Sequence, residues 1–125
     1  MKEIITTGKA PGAIGPYSQG AASGAVIYTS GQLPIDMATG DMETADIKKA
    51  ARASLENCKA ILEAAGSSLK DVVKTTVFMT DLADFVAMNE IYASYFAEDP
   101  PARSCVQVAA LPKGAEIEIE MLAVK

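Results

Sequence analysis

The sequence predicts an α+β domain: one mixed β-sheet of about six strands with two helices packed on a single face. Three observations predict it. The chain has 125 residues, one domain's worth of sequence and enough to bury a core. Strand-like and helix-like segments follow in the order strand, helix, strand, helix, strand, strand, with room for an extra hairpin before residue 30. Each helix lies between strands, so crossover connections are expected, and two helices can cover only one sheet face.

Residues 1–24 are rich in Gly, Pro, Ser and Thr and read as loops and short extended pieces. Residues 25–30 form a β-branched run stopped by Gly31, a strand. Thr39-Gly40-Asp41 is a turn. Residues 46–65 have helical periodicity, with Ile47, Ala50, Leu55, Cys58, Ile61 and Leu62 on one face. Lys48, Lys49, Arg52, Glu56, Lys59 and Glu63 make the opposite, solvent face. Thr44 or Asp46 can cap the start, and Gly66 is a natural stop. Residues 71–80 are a second β-rich stretch. Asp81 or Asp84 then caps a helix to about Phe96, with Phe85, Met88, Tyr92 and Tyr95 or Phe96 inward. Pro100-Pro101 prevents its continuation. Residues 103–109 and 117–124 are the last two strands, joined by a loop holding Pro112, Lys113 and Gly114.

Composition excludes several chemistries. There is no histidine, so no Ser-His or Cys-His dyad and no imidazole metal ligand can arise within this chain. A general base must be Asp, Glu, Lys, Tyr or Cys. Eleven Lys+Arg face 16 Asp+Glu, and the net charge of -5 disfavours phosphate-driven nucleic-acid binding. Two cysteines, Cys58 and Cys105, are too few for a disulfide scaffold and suit a reducing compartment. No apolar run has signal-peptide or membrane-span length, so a cytoplasmic protein without membrane contact is expected.

The last strand also predicts self-association. Ile117, Ile119, Met121 and Ala123 take one face, and Glu118, Glu120, Leu122 and Val124 the other. A purely solvated face would not need Leu122 and Val124, so burial against another copy of the chain is expected.

Several residues can carry chemistry. Arg103, Cys105 and Gln107 share one face of their strand. Arg103 is either an anion binder, since arginine pairs bidentately with carboxylates, or an ordinary surface arginine. Cys105 lacks an imidazole to activate it, so a lining role is favoured over a nucleophilic one. Cys58 lies on the apolar face of its helix and reads as core. Glu118 is either part of a solvated strand face or, in a partly apolar interface, a general base with a raised pKa. Tyr17 sits in a Gly-Pro-Tyr-Ser-Gln loop and reads as packing. At Ser30-Gly31-Gln32 the glycine permits close approach of a ligand or a neighbouring chain. Asn89 can bond a loop or be solvated. No phosphate-binding loop is present.

Taken together, these segments resemble one family. The pieces are Ala13-Ile14-Gly15-Pro16-Tyr17-Ser18-Gln19, Thr29-Ser30-Gly31-Gln32-Leu33-Pro34, Pro101-Ala102-Arg103-Ser104-Cys105-Val106, Leu111-Pro112-Lys113 and Ile117-Glu118-Ile119-Glu120. Spread over nearly the whole chain, they resemble the RidA (YjgF-like) family. The resemblance implies a chorismate-mutase-like α+β fold and a homotrimer, its sheets forming a central barrel with clefts between subunits. It implies hydrolysis of 2-imino acids and their enamine tautomers to 2-oxo acids and ammonia, without metal or cofactor. The imines would come from PLP-dependent dehydratases.

By the same resemblance, Arg103 clamps the substrate carboxylate and Glu118 handles the attacking water or the leaving nitrogen. Tyr17 closes the cleft from a neighbouring subunit. Ser30 and Gly31 line the pocket, Cys105 contacts the carboxylate end, and Asn89 belongs to the cleft wall. Met37 and Gly114 depart from the family's usual proline and aspartate, both in turns. Two other readings stand beside this one: a non-catalytic module that binds 2-oxo acids, and a ribonuclease or translation inhibitor. The acidic balance and missing histidine argue against the latter.

Overall fold

The computed structural model describes all 125 residues. Three short strands, β1 (Lys2–Ile5), β2 (Gly20–Ser23) and β3 (Val26–Thr29), form an antiparallel meander. Gly24, at φ +59°, makes the tight turn between β2 and β3, a conformation glycine adopts without strain. The chain then crosses one sheet face as α1 (Ile47–Ala64) and returns as β4 (Val72–Met79). A second crossing, α2 (Phe85–Tyr95), leads to β5 (Ala102–Gln107), which runs parallel to β4. The last strand, β6 (Ile117–Val124), inserts between β3 and β4, antiparallel to both. The sheet order is β1-β2-β3-β6-β4-β5, leaving β5 at an edge.

The predicted six-stranded α+β architecture is therefore the one observed. Asp46 rather than Thr44 caps α1, its carboxylate accepting from the Lys48 and Lys49 N–H groups. Gly66 follows the helix at φ +81°. Asp81 caps a short 3-10 turn that leads into α2, while Asp84 makes no side-chain cap. The N-terminal segment is more ordered than its composition suggests. Pairing along the meander supplies hydrogen bonds that local propensity does not. β5 ends at Gln107 rather than residue 109, where the Val108 N–H donates to the Met79 carbonyl at the end of β4.

Alternation in β6 puts Ile117, Ile119, Met121 and Ala123 under the helices. They pack with Val77 and Met79 of β4, Ile27 of β3, Leu55, Ile61 and Leu62 of α1, and Met88 and Tyr92 of α2. Cys58 belongs to this core, as expected. It is fully buried, its Sγ bonds the Ile119 carbonyl at 3.3 Å, and burial pushes its thiol pKa up to about 12. No helix is long and apolar enough to cross a membrane.

The opposite sheet face has no helix. It carries Glu118, Leu122 and Val124 half-buried and Glu120 exposed on β6, with Tyr28 of β3 at 55% and Val106 of β5 at 42% exposure. Register aligns Val106, Phe78 and Glu118 in one row across β5, β4 and β6.

Candidate active site

The Glu118 end of the site begins with a ladder defect. Tyr28 pairs with Leu122, but the next bridge joins Gln32 to Ile119, so residues 29–31 oppose only Glu120 and Met121. The strand bulges there. Thr29 Oγ1 fills the gap by accepting from the Met121 N–H at 3.0 Å. Gln32 resumes pairing, its N–H donating to the Ile119 carbonyl at 2.7 Å. The bulge brings the Gly31 backbone against the side chain of Glu118. A Cβ on Gly31 would run into that carboxylate, standing 2.7 Å from its Cδ. The close approach, not an unusual φ, is what glycine serves here: any larger residue would displace the Glu118 carboxylate.

Glu118 lines a cavity of about 410 Å³ with Ser30, Gly31, Gln32, Tyr17, Ile14 and Lys113 among its walls. Burial pushes its carboxyl above the usual carboxylate range, and the charge of Glu120 on the same face adds to this. Ser30 is fixed from behind, its hydroxyl donating to the Ser18 carbonyl and its N–H to the Gln19 carbonyl. Tyr17 is half exposed at the cavity mouth, and its hydroxyl accepts from the Ile14 N–H at 3.4 Å. Gln19 is a residue the sequence reading did not single out. Its buried amide accepts from the Thr7 N–H and donates to the Thr7, Ala10 and Pro11 carbonyls, pinning the segment that forms the far wall. A glutamine closing a Gly- and Pro-rich loop was the available signal. Lys113 and Gly114 both have positive φ, +59° and +72°, so the glycine at position 114 suits its turn.

The Arg103 end lies elsewhere. Arg103 and Cys105 are half-buried on edge strand β5, pairing with Thr75 and Val77 of β4 on the helix-covered side. Arg103 Nη1 donates to Asn89 Oδ1 at 2.7 Å. Its guanidinium carbon lies 4.7 Å from the Tyr92 ring centroid and 5.4 Å from that of Phe85. The chain's ion pairs join Lys48 to Glu90 and Lys125 to Glu3, so Arg103 has no carboxylate partner within its own chain. Cys105 Sγ sits 3.8 Å from Met79 Sδ. Burial raises its thiol pKa, and Arg103 only partly opposes this, so the thiol stays protonated at neutral pH, as suits a lining role.

The expected site residues thus fall into two groups. Glu118, Gly31, Ser30 and Tyr17 meet around one cavity. Arg103, Cys105 and Asn89 meet at the β5 edge, where Asn89 holds the arginine. Glu118 points to the open face and Arg103 to the helix side, and β4 separates their strands. Strand spacing alone puts them about 10 Å apart across the sheet. No three Cys, Asp or Glu side chains gather closely enough to hold a metal ion.

Known proteins share this arrangement of strands and helices. A solved structure of Escherichia coli TdcF with bound serine superposes with a TM-score of 0.94 at 52% identity, covering 98% of each chain. The Escherichia coli YjgF gene product gives a TM-score of 0.94 at 51% identity, again over 98% of each. In sequence, the 2-iminobutanoate/2-iminopropanoate deaminase of Escherichia coli K12 is 52% identical over 128 residues, spanning all of this chain and 99% of that protein. The family described as endoribonuclease L-PSP matches residues 7–125. With so long a match and a relative so similar from end to end, the chain belongs to the RidA/YjgF family.

Proposed function

We propose that this protein is a 2-imino acid deaminase, hydrolysing 2-iminobutanoate and 2-iminopropanoate to the 2-oxo acids and ammonia. The observation that carries the reading is Arg103: a guanidinium held in place, partly desolvated, and with no carboxylate of its own chain to neutralise it. An α-imino carboxylate supplies that partner.

The substrate needs little activation. A protonated imine carbon is already electrophilic, so the chain must orient it and manage protons. Arg103 grips the carboxylate. Water attacks the imine carbon while Glu118 takes its proton. The resulting carbinolamine receives that proton on nitrogen. The C–N bond then breaks as Glu118 takes the hydroxyl proton, leaving the 2-oxo acid, and the departing ammonia carries that last proton away as ammonium. A carboxyl with a raised pKa suits both taking and returning a proton. Neither a metal nor a cofactor enters this scheme.

Because Arg103 and Glu118 lie on opposite sides of one sheet, the complete site requires two chains. We place it between subunits of a homotrimer. The β5 edge of one copy faces the Glu118 cavity of the next, and the open sheet face, with Leu122, Val124, Tyr28 and Val106, is buried in the assembly. The protein then works on small metabolites in the cytoplasm, with neither nucleic acid nor membrane as partner.

The test is a coupled reaction. Added to a threonine dehydratase at a pH where free imine hydrolysis is slow, the protein should accelerate 2-oxobutanoate formation, and no acceleration would sink the reading. The bound serine of the TdcF structure favours one alternative, a carboxylate-binding module without catalysis. In that case Glu118→Gln would leave every measurable function intact. Gly31→Ala supplies a further check. The added methyl should drive the Glu118 carboxylate from its place and lower kcat by about 10²-fold, with carboxylate binding at Arg103 much less affected.

A further inference from the structure

We propose that Tyr92 is a positioning residue for Arg103, its ring supporting the guanidinium and presetting the clamp before a ligand arrives. The inference rests on Arg103 as a carboxylate clamp and goes beyond it by assigning what aims the clamp.

Phe85, Asn89 and Tyr92 are spaced four and three residues apart and so share one face of α2. All three meet Arg103. Asn89 accepts one N–H, and the two rings lie 5.4 Å and 4.7 Å from the guanidinium carbon. A guanidinium has five N–H donors, so the bond to Asn89 leaves a full edge for a carboxylate.

Tyr92 is fixed more firmly than a core ring needs to be. It is 6% exposed, and its hydroxyl shares a 2.7 Å hydrogen bond with Thr75 Oγ1, which is fully buried. Phe96 packs on the ring at a centroid distance of 4.8 Å. Thr75 is also the β4 residue paired with Arg103 across the parallel ladder. One strand therefore holds the backbone beside the arginine and, through the tyrosine hydroxyl, the ring beneath its side chain. A free arginine would surrender rotamer freedom on gripping a ligand. This one has surrendered it on folding, which favours binding.

The test titrates wild type, Tyr92→Leu and Tyr92→Phe with 2-oxobutanoate by calorimetry, after thermal melts establish that each is folded. Tyr92→Leu should weaken binding about tenfold, with KM raised and kcat little changed. Tyr92→Phe keeps the ring, so it should recover most of the affinity even though losing the Thr75 bond lowers its melting temperature. A folded Tyr92→Leu protein that binds like wild type would overturn the positioning role, as would a Tyr92→Phe protein as weak as Tyr92→Leu. Wild type that binds no 2-oxobutanoate would overturn the clamp reading itself and this inference with it. A second measurement needs no variant. In ligand-free wild type the Arg103 Nε–H should give one sharp NMR resonance shifted by the ring current of Tyr92, and an averaged, unshifted resonance would contradict the proposal.

Discussion

Arg103→Ala is expected to lower kcat/KM for a 2-imino acid by about 10²- to 10³-fold while leaving the fold intact. A hydrogen bond to a charged group is worth about 1.5–3 kcal/mol, and a bidentate clamp makes two that are not fully additive. A loss of about 3–4 kcal/mol corresponds to that rate factor. The fold should survive because Arg103 is half-buried on an edge strand and makes one side-chain hydrogen bond, to Asn89, which can turn to water. Arg103→Lys should restore only part of the loss, since an ammonium offers a point charge without the fork. The coupled dehydratase assay measures both variants, and a fully active Arg103→Ala protein would remove the clamp from the mechanism.

Glu118→Gln should separate chemistry from binding. The amide fills the same space beside Gly31 but cannot take a proton, so kcat should fall by about 10²- to 10⁴-fold. Binding of 2-oxobutanoate, which the proposed clamp assigns to Arg103, should change little. The pH dependence has a definite sign. The active form is the carboxylate, and burial followed by the Glu120 charge raises the pKa. The wild-type rate should therefore fall as pH drops through a value above the ordinary carboxylate range. The residual rate of Glu118→Gln should lack that limb. A wild-type rate unchanged down to the pKa of an ordinary glutamate would contradict the assignment of Glu118 as base.

Much of this site was legible in the sequence, for local reasons. The helical stripe of α1 and the strict alternation of β6 each reveal which face is buried, so Glu118 could be placed opposite Ile117 and Ile119 from the pattern alone. Gly31 read as a place of close approach, and the structure supplies the partner, Glu118, from a strand far along the chain. What could not be read is the relation between strands. β5 has no apolar alternation, its burial being half-buried or exposed throughout, so nothing in its residues says that Arg103 faces the helices. That fact is carried by its register with β4, where Arg103 meets Thr75. Tyr92 likewise reads as core from its helical spacing. Its bond to Thr75 and its contact with Arg103 exist only once two strands and a helix are assembled. The short strands β1 and β2 fall in the same class, being held by pairing rather than by propensity.

The division of Arg103 and Glu118 between two sides of the sheet makes the central claim testable in one mixture. Arg103→Ala chains keep Glu118, and Glu118→Gln chains keep Arg103. Each protein alone should show only its small residual rate. Unfolded together in equal amounts and refolded, they form mixed assemblies in which some clefts receive Arg103 from one chain and Glu118 from another. With random assortment about a quarter of the clefts are intact, so about a quarter of wild-type deaminase activity should return. Activity no greater than the sum of the two variants, in mixtures whose subunits have demonstrably exchanged, would contradict a site shared between chains.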